Sequence, residues 1–160
     1  MRFWIRELTV SHWWCCCPDI EVPPGPCTCE YSSDGNAPCC FKVSVSNMAN
    51  GDNCQSCSSE LNRSYYLVQT EAGSCIWNCR HLCLRLSGAY CQDSGSEWEI
   101  TLTVSDEGAD QYKITVDLGP HKWAKTYDGK PSLSDIYDTL TWISDSGSCN
   151  SSSATCIIAA

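Results

Sequence analysis

Glu97-Trp98-Glu99-Ile100-Thr101-Leu102-Thr103-Val104 is the stretch on which the fold turns. Successive side chains of an extended strand point to opposite faces, so Trp98, Ile100, Leu102 and Val104 share one side, and Glu97, Glu99, Thr101 and Thr103 the other. The same alternation returns downstream, where Tyr112, Ile114, Val116 and Leu118 oppose Lys113, Thr115 and Asp117. Polar residues from Ser105 to Asp110 separate the two runs and predict a hairpin loop, hence an antiparallel pair of half-buried strands.

Working outward, Phe41, Val43 and Val45 alternate with Lys42, Ser44 and Ser46 before the turn residues Asn50-Gly51-Asp52-Asn53. Further strands are predicted through Ser64-Tyr65-Tyr66-Leu67, Cys75-Ile76-Trp77, Leu82 to Leu86, Trp123, Thr139 to Ile143 and Ala154 to Ile158. Helical spacing is confined to Leu133–Tyr137. Many short strands joined by polar, Gly-containing connections predict an all-β, antiparallel β-sandwich or small barrel. Its expected core is Val43, Val45, Tyr65, Leu67, Trp77, Leu84, Trp98, Ile100, Leu102, Ile114, Val116 and Trp142. The domain is expected to span 39–160. Residues 1–38, with Pro18, Pro23, Pro24 and Pro26, read as an extended Pro/Cys/Trp-rich docking arm because proline fixes φ and removes a donor.

The chain has 160 residues, 19 acidic against 10 basic, for a net charge of −9. That charge repels phosphate backbones and anionic lipid, so nucleic acid is not an expected partner. Apolar runs fall well short of the roughly 20 residues that span a bilayer, and no membrane insertion is expected. The N-terminus, Met1 to Val10, lacks the continuous apolar segment of a signal peptide. The 15 cysteines nevertheless call for a disulfide framework or metal, and their odd number leaves at least one thiol free, metal-bound or paired with another chain.

The disulfide candidates are Cys15, Cys16, Cys17, Cys27, Cys29, Cys39, Cys40, Cys54, Cys57, Cys75, Cys79, Cys83, Cys91, Cys149 and Cys156. Cys27-Thr28-Cys29 puts two thiols on one side of an extended chain, whereas Cys39-Cys40 points them to opposite faces. Cys15 to Cys17 are expected to pair with Cys27, Cys29 or Cys39, or to cross-link subunits. Cys54-x-x-Cys57 followed by Cys75-x-x-x-Cys79 lies near zinc-ribbon spacing, with His81 and Cys83 close by. Structural disulfides are the first reading, and zinc on Cys54, Cys57, Cys75 and Cys79 the second. A redox role for Cys54 and Cys57 lacks the strand before and helix after that it needs.

His12, His81 and His121 lie in no hydrolase, metalloprotease or phosphate-loop motif, so no catalytic residue is assigned and no cofactor is expected. Asp106, Glu107 and Asp110, or Asp34 with Asn36, match no calcium loop and read as turns. Trp4, Trp13 and Trp14 are the candidates for docking on a partner. A core or inter-subunit place is the first reading for the aromatics, and Trp123 and Tyr127 are the candidates, as a second reading, for stacking against a glycan. Asn62-Arg63-Ser64 and Asn150-Ser151-Ser152 are glycosylation sequons by pattern.

The ordered features Cys15-Cys16-Cys17-Pro18, Cys54-x-x-Cys57 with Leu61-Asn62 and Tyr66, Cys75-x-Trp77, the Trp98 to Val104 strand and Cys149-Asn150-x-Ser152-Ser153-Ala154-Thr155-Cys156 resemble small Cys-rich proteins encoded in planctomycete and tailed-phage genomes. Arg63 departs from the glycine expected at that turn. The resemblance implies a β domain used as a building block or adhesive module on a particle or cell surface. It points to a structural virion protein (tail, fibre or capsid-decorating component) that assembles through its arm with its own copies or other virion proteins. Such a protein is made in the host cytoplasm, released by lysis, and hardened by disulfides. The alternatives are a module binding surface glycan and a zinc-binding intracellular protein.

Overall fold

The computed structural model describes residues 26–48, 61–79, 100–119, 121–143 and 154–160. Eight strands occur in chain order: β1 (Cys40–Ser46), β2 (Ser64–Gln69), β3 (Ile76–Asn78), β4 (Ile100–Gly108), β5 (Gln111–Leu118), β6 (His121–Asp128), β7 (Tyr137–Ile143) and β8 (Thr155–Ala159). Each pairs antiparallel with the next, and β8 returns to β1 through Val43↔Ile158 and Val45↔Cys156. The alternative between sandwich and barrel thus resolves as a closed up-and-down barrel in which every strand ladders with two neighbours.

The quoted alternation sets the inside. Ile100, Leu102 and Val104 of β4 are buried opposite Leu118, Val116 and Ile114 of β5. Phe41, Val43, Val45, Tyr65, Leu67, Trp77, Trp123, Leu140, Cys156 and Ile158 complete the filled interior, with Trp142 packed against it. Trp77 meets Phe41 edge to face at 4.8 Å between centroids, a favoured geometry for the ring quadrupoles. An eight-stranded barrel is just wide enough for side chains to fill it. Leu84 and Trp98, also expected in the core, lie outside the described residues, as does the strand expected from Leu82 to Leu86.

Two local expectations change. The loop expected from Ser105 to Asp110 shrinks to a two-residue turn, Ala109-Asp110, with both φ angles positive (53° and 60°) and Gly108 paired with Gln111. That handedness matches the twist of the flanking strands. The helical candidate Leu133–Tyr137 is a turn that leads into β7. Ser132 Oγ bonds Asp135, Leu133 is drawn into the core with Ile136 packed against it, and the Ile136 carbonyl accepts from Ala160 N at 2.9 Å. Tertiary partners take the groups a helix would have used.

β7 changes partner along its length. Tyr137 to Leu140 ladder with β8, whereas Thr141 to Ile143 ladder with β6. The seam between the end of β6 and the start of β7 therefore lacks backbone pairing. It opens at the barrel end where β1, β3, β5 and β7 begin.

Candidate functional site at the strapped end of the barrel

Residues 26–38, expected as the last part of the arm, form a strap across that same end. The strap folds back on itself through Ala37 N to Cys27 O at 2.9 Å and Cys29 N to Gly35 O at 3.1 Å. Asp34 holds the bend by accepting from Ser32 Oγ, Asn36 N and Asn36 Nδ2, and these bonds keep its carboxyl below the ordinary value. Asp34 and Asn36 are thus occupied as a turn. Likewise Asp106 accepts from Gly108 N and Glu107 from Ser105 Oγ. Among the described residues, no cluster of His, Cys, Asp and Glu is arranged to hold a metal ion.

Covalent bonds fix the strap along one side. Cys27 joins Cys39 at the entry to β1, and Cys29 joins Cys75 at the entry to β3. Gln69, buried at the end of β2, donates to Thr28 O at 2.7 Å, and Trp77 Nε1 donates to Pro38 O at 2.8 Å. The far side is held by weaker means. Ser33 N donates to Pro131 O at 3.0 Å, Lys130 Nζ to Glu30 O at 2.8 Å, and Leu133 N to Ser32 Oγ at 3.4 Å. All three contacts fall on the connection between β6 and β7. Tyr31 of the strap packs on Tyr112 with centroids 5.8 Å apart.

Beneath that connection, side chains bridge the unladdered seam. Lys125 Nζ lies 2.7 Å from both carboxylate oxygens of Asp138, and Tyr127 OH donates to Oδ2 at 2.8 Å. Strand parity places Lys125 and Tyr127 on the same face of β6 as Trp123, and Asp138 on the same face of β7 as Leu140. Burial alone would raise the Asp138 carboxyl. The hydrogen bonds from Lys125, Tyr127 and Thr139 N, with the Lys125 charge, outweigh it and hold the group below its ordinary value. Burial first, then the neighbouring carboxylate, push the Tyr127 phenol well above the usual tyrosine range. The trio is a charge-assisted clasp: its carboxylate is saturated, its phenol protonated and its ammonium paired.

Several assignments need correction. Trp123 is 0% exposed and offers no face for a sugar ring, and Tyr127 is half-buried with its hydroxyl engaged. Trp123 takes the core place that the sequence reading set ahead of the glycan platform. Cys75 is bonded to Cys29, and Cys79 is disulfide-bonded as well, so neither is a thiolate for the zinc set proposed with Cys54 and Cys57. Cys27, Cys29 and Cys39 are already paired, which removes the expected partners of Cys15, Cys16 and Cys17. Cys156 carries a reduced thiol. Cys156 points inward beside Val45, and burial pushes its thiol up to about 12. Asn62 of the first sequon clamps Met48 through both amide atoms, accepting from N at 2.8 Å and donating to O at 3.0 Å.

Trp4, Trp13, Trp14, Cys15, Cys16, Cys17, Cys54, Cys57, Cys83, Cys91 and Cys149 lie outside the described residues. Sequence reasoning missed Gln69 and Asp138. The available signal was a polar side chain in register with apolar ones, Asp138 with Leu140 and Trp142, and Gln69 with Tyr65 and Leu67. Comparison of the chain with the models of known families, with curated proteins and with solved structures finds no match.

Proposed function

We propose that the chain is a non-catalytic structural module of a tailed-phage particle, a disulfide-hardened barrel serving as a tail, fibre or capsid-decorating component. The observation that carries the reading is the strap, bound to the barrel by Cys27–Cys39 and Cys29–Cys75. Such bonds persist outside reducing compartments, where a released particle resides. Support also comes from the filled interior and from the closed sheet, in which every strand ladders with two neighbours. The outward positions of β4 to β6 carry Thr101, Thr103, Lys113, Thr115, Asp117 and Lys122 over an apolar interior, a polarity suited to water and opposite to that of a membrane barrel. The resemblance of the cysteine pattern to proteins of tailed-phage genomes supplies the particle. Mass spectrometry of density-purified particles tests the reading. The chain is expected in fixed stoichiometry with the major structural proteins, and its confinement to the free lysate would overturn it.

A further inference from the structure

We propose that the strap and the connection from Gly129 to Ile136 form an acid-released lid, hinged by the two disulfides and latched across the β6/β7 seam by Asp138. Geometry carries this. The strap's covalent bonds all lie on the β1/β3 side, while its contacts to Pro131, Lys130 and Leu133 on the far side are hydrogen bonds. The connection gripped there joins the two strands whose facing halves share no ladder. One carboxylate, receiving Lys125 and Tyr127, closes that gap.

Among the described residues, few charged and titratable groups surround Asp138. β6 presents Lys125 and Tyr127, and Ile158 lies opposite on β8. Within the connection, Lys130 is bonded to Glu30 O and Asp135 to Ser132. Protonation of Asp138 removes the negative partner of Lys125 and leaves an ammonium facing a neutral acid. The carboxyl is held below its ordinary value of 3.8 in the latched state, so the open state binds the proton more tightly. Opening is therefore favoured as pH falls. Between about pH 3.8 and the depressed latched value, the opening constant rises roughly tenfold per pH unit, and above that window it is level. Opening uncovers Leu133 and the face between Tyr31 and Tyr112 while the disulfides keep the strap attached.

Hydrogen exchange of the intact oxidised chain, corrected for intrinsic rates, tests the latch between pH 2.5 and 7. The amides of Ser33 and Leu133, which bond across the contact between strap and connection, should lose protection about tenfold per unit below pH 4 while the β4–β5 ladder stays protected. Asp138→Asn should lower the protection of these two amides at neutral pH and flatten its pH dependence, and Tyr127→Phe, which keeps the Lys125 pair, should lower protection but retain the acid slope. Protection of Ser33 and Leu133 that is independent of pH, or an acid slope that survives in Asp138→Asn, overturns the proposal. Loss of protection uniformly across all strands overturns it too, because the acid event would then be global unfolding.

Discussion

Removing the tether between strap and β3 with the double substitution Cys29→Ala/Cys75→Ala is expected to cost the domain about 4 kcal/mol. The bond spans 46 residues of sequence, and chain-entropy reasoning gives about 4 kcal/mol for closing a loop of that length in the unfolded state. Against a total stability on the order of 5–15 kcal/mol, this is a large fraction. The native strap keeps its bonds from Gln69 and Trp77, so the loss resides mainly in the unfolded chain, which gains freedom and exposes more surface. Guanidinium unfolding followed by tryptophan fluorescence should show a lower midpoint and a steeper denaturant dependence in the variant. Replacing both cysteines avoids a stray thiol. A change under about 1 kcal/mol with an unaltered slope would refute the reasoning, because the strap would then be held by its non-covalent contacts alone.

Other outcomes follow from the same structure. Cys27→Ala/Cys39→Ala removes a bond of sequence separation 12 and should cost about 3 kcal/mol in the same assay. Cys156, fully buried with its thiol pushed up to about 12, should resist iodoacetamide at pH 8 in the folded protein and react once denatured; rapid native labelling would contradict its inward position. Ala109 sits at φ 53° in the β4–β5 turn, so Ala109→Asn should raise stability by about 0.5–1 kcal/mol, and a loss would place the turn elsewhere. Trp77→Phe deletes the indole donor to Pro38 O within the core and should cost about 2–3 kcal/mol by thermal melting.

The strands were legible because their alternation is clean. In Ile100 to Val104 and Tyr112 to Leu118 every second residue is apolar, and burial follows that rule without exception. Barrel closure was not legible, because the pairing of Val43 with Ile158 joins residues more than a hundred positions apart and no local spacing encodes it. The cysteine pattern announced staples but not partners: Cys29 joins Cys75 across the barrel end, a contact that exists only once the sheet has curved. Trp123 and Tyr127 share one strand face, yet one is sealed and the other reaches a carboxylate near the mouth, a difference set by depth in the barrel. Asp138 was missed for the same reason. Its role depends on a seam that periodicity does not reveal.

Peptide mapping of the unreduced native protein, with free thiols blocked before digestion, tests the central claim of a covalently strapped barrel most directly. The account predicts linked peptides containing Cys27 with Cys39 and Cys29 with Cys75, and an alkylated Cys156 after denaturation. Recovery of Cys29 and Cys75 as reduced thiols together with stoichiometric zinc would contradict it.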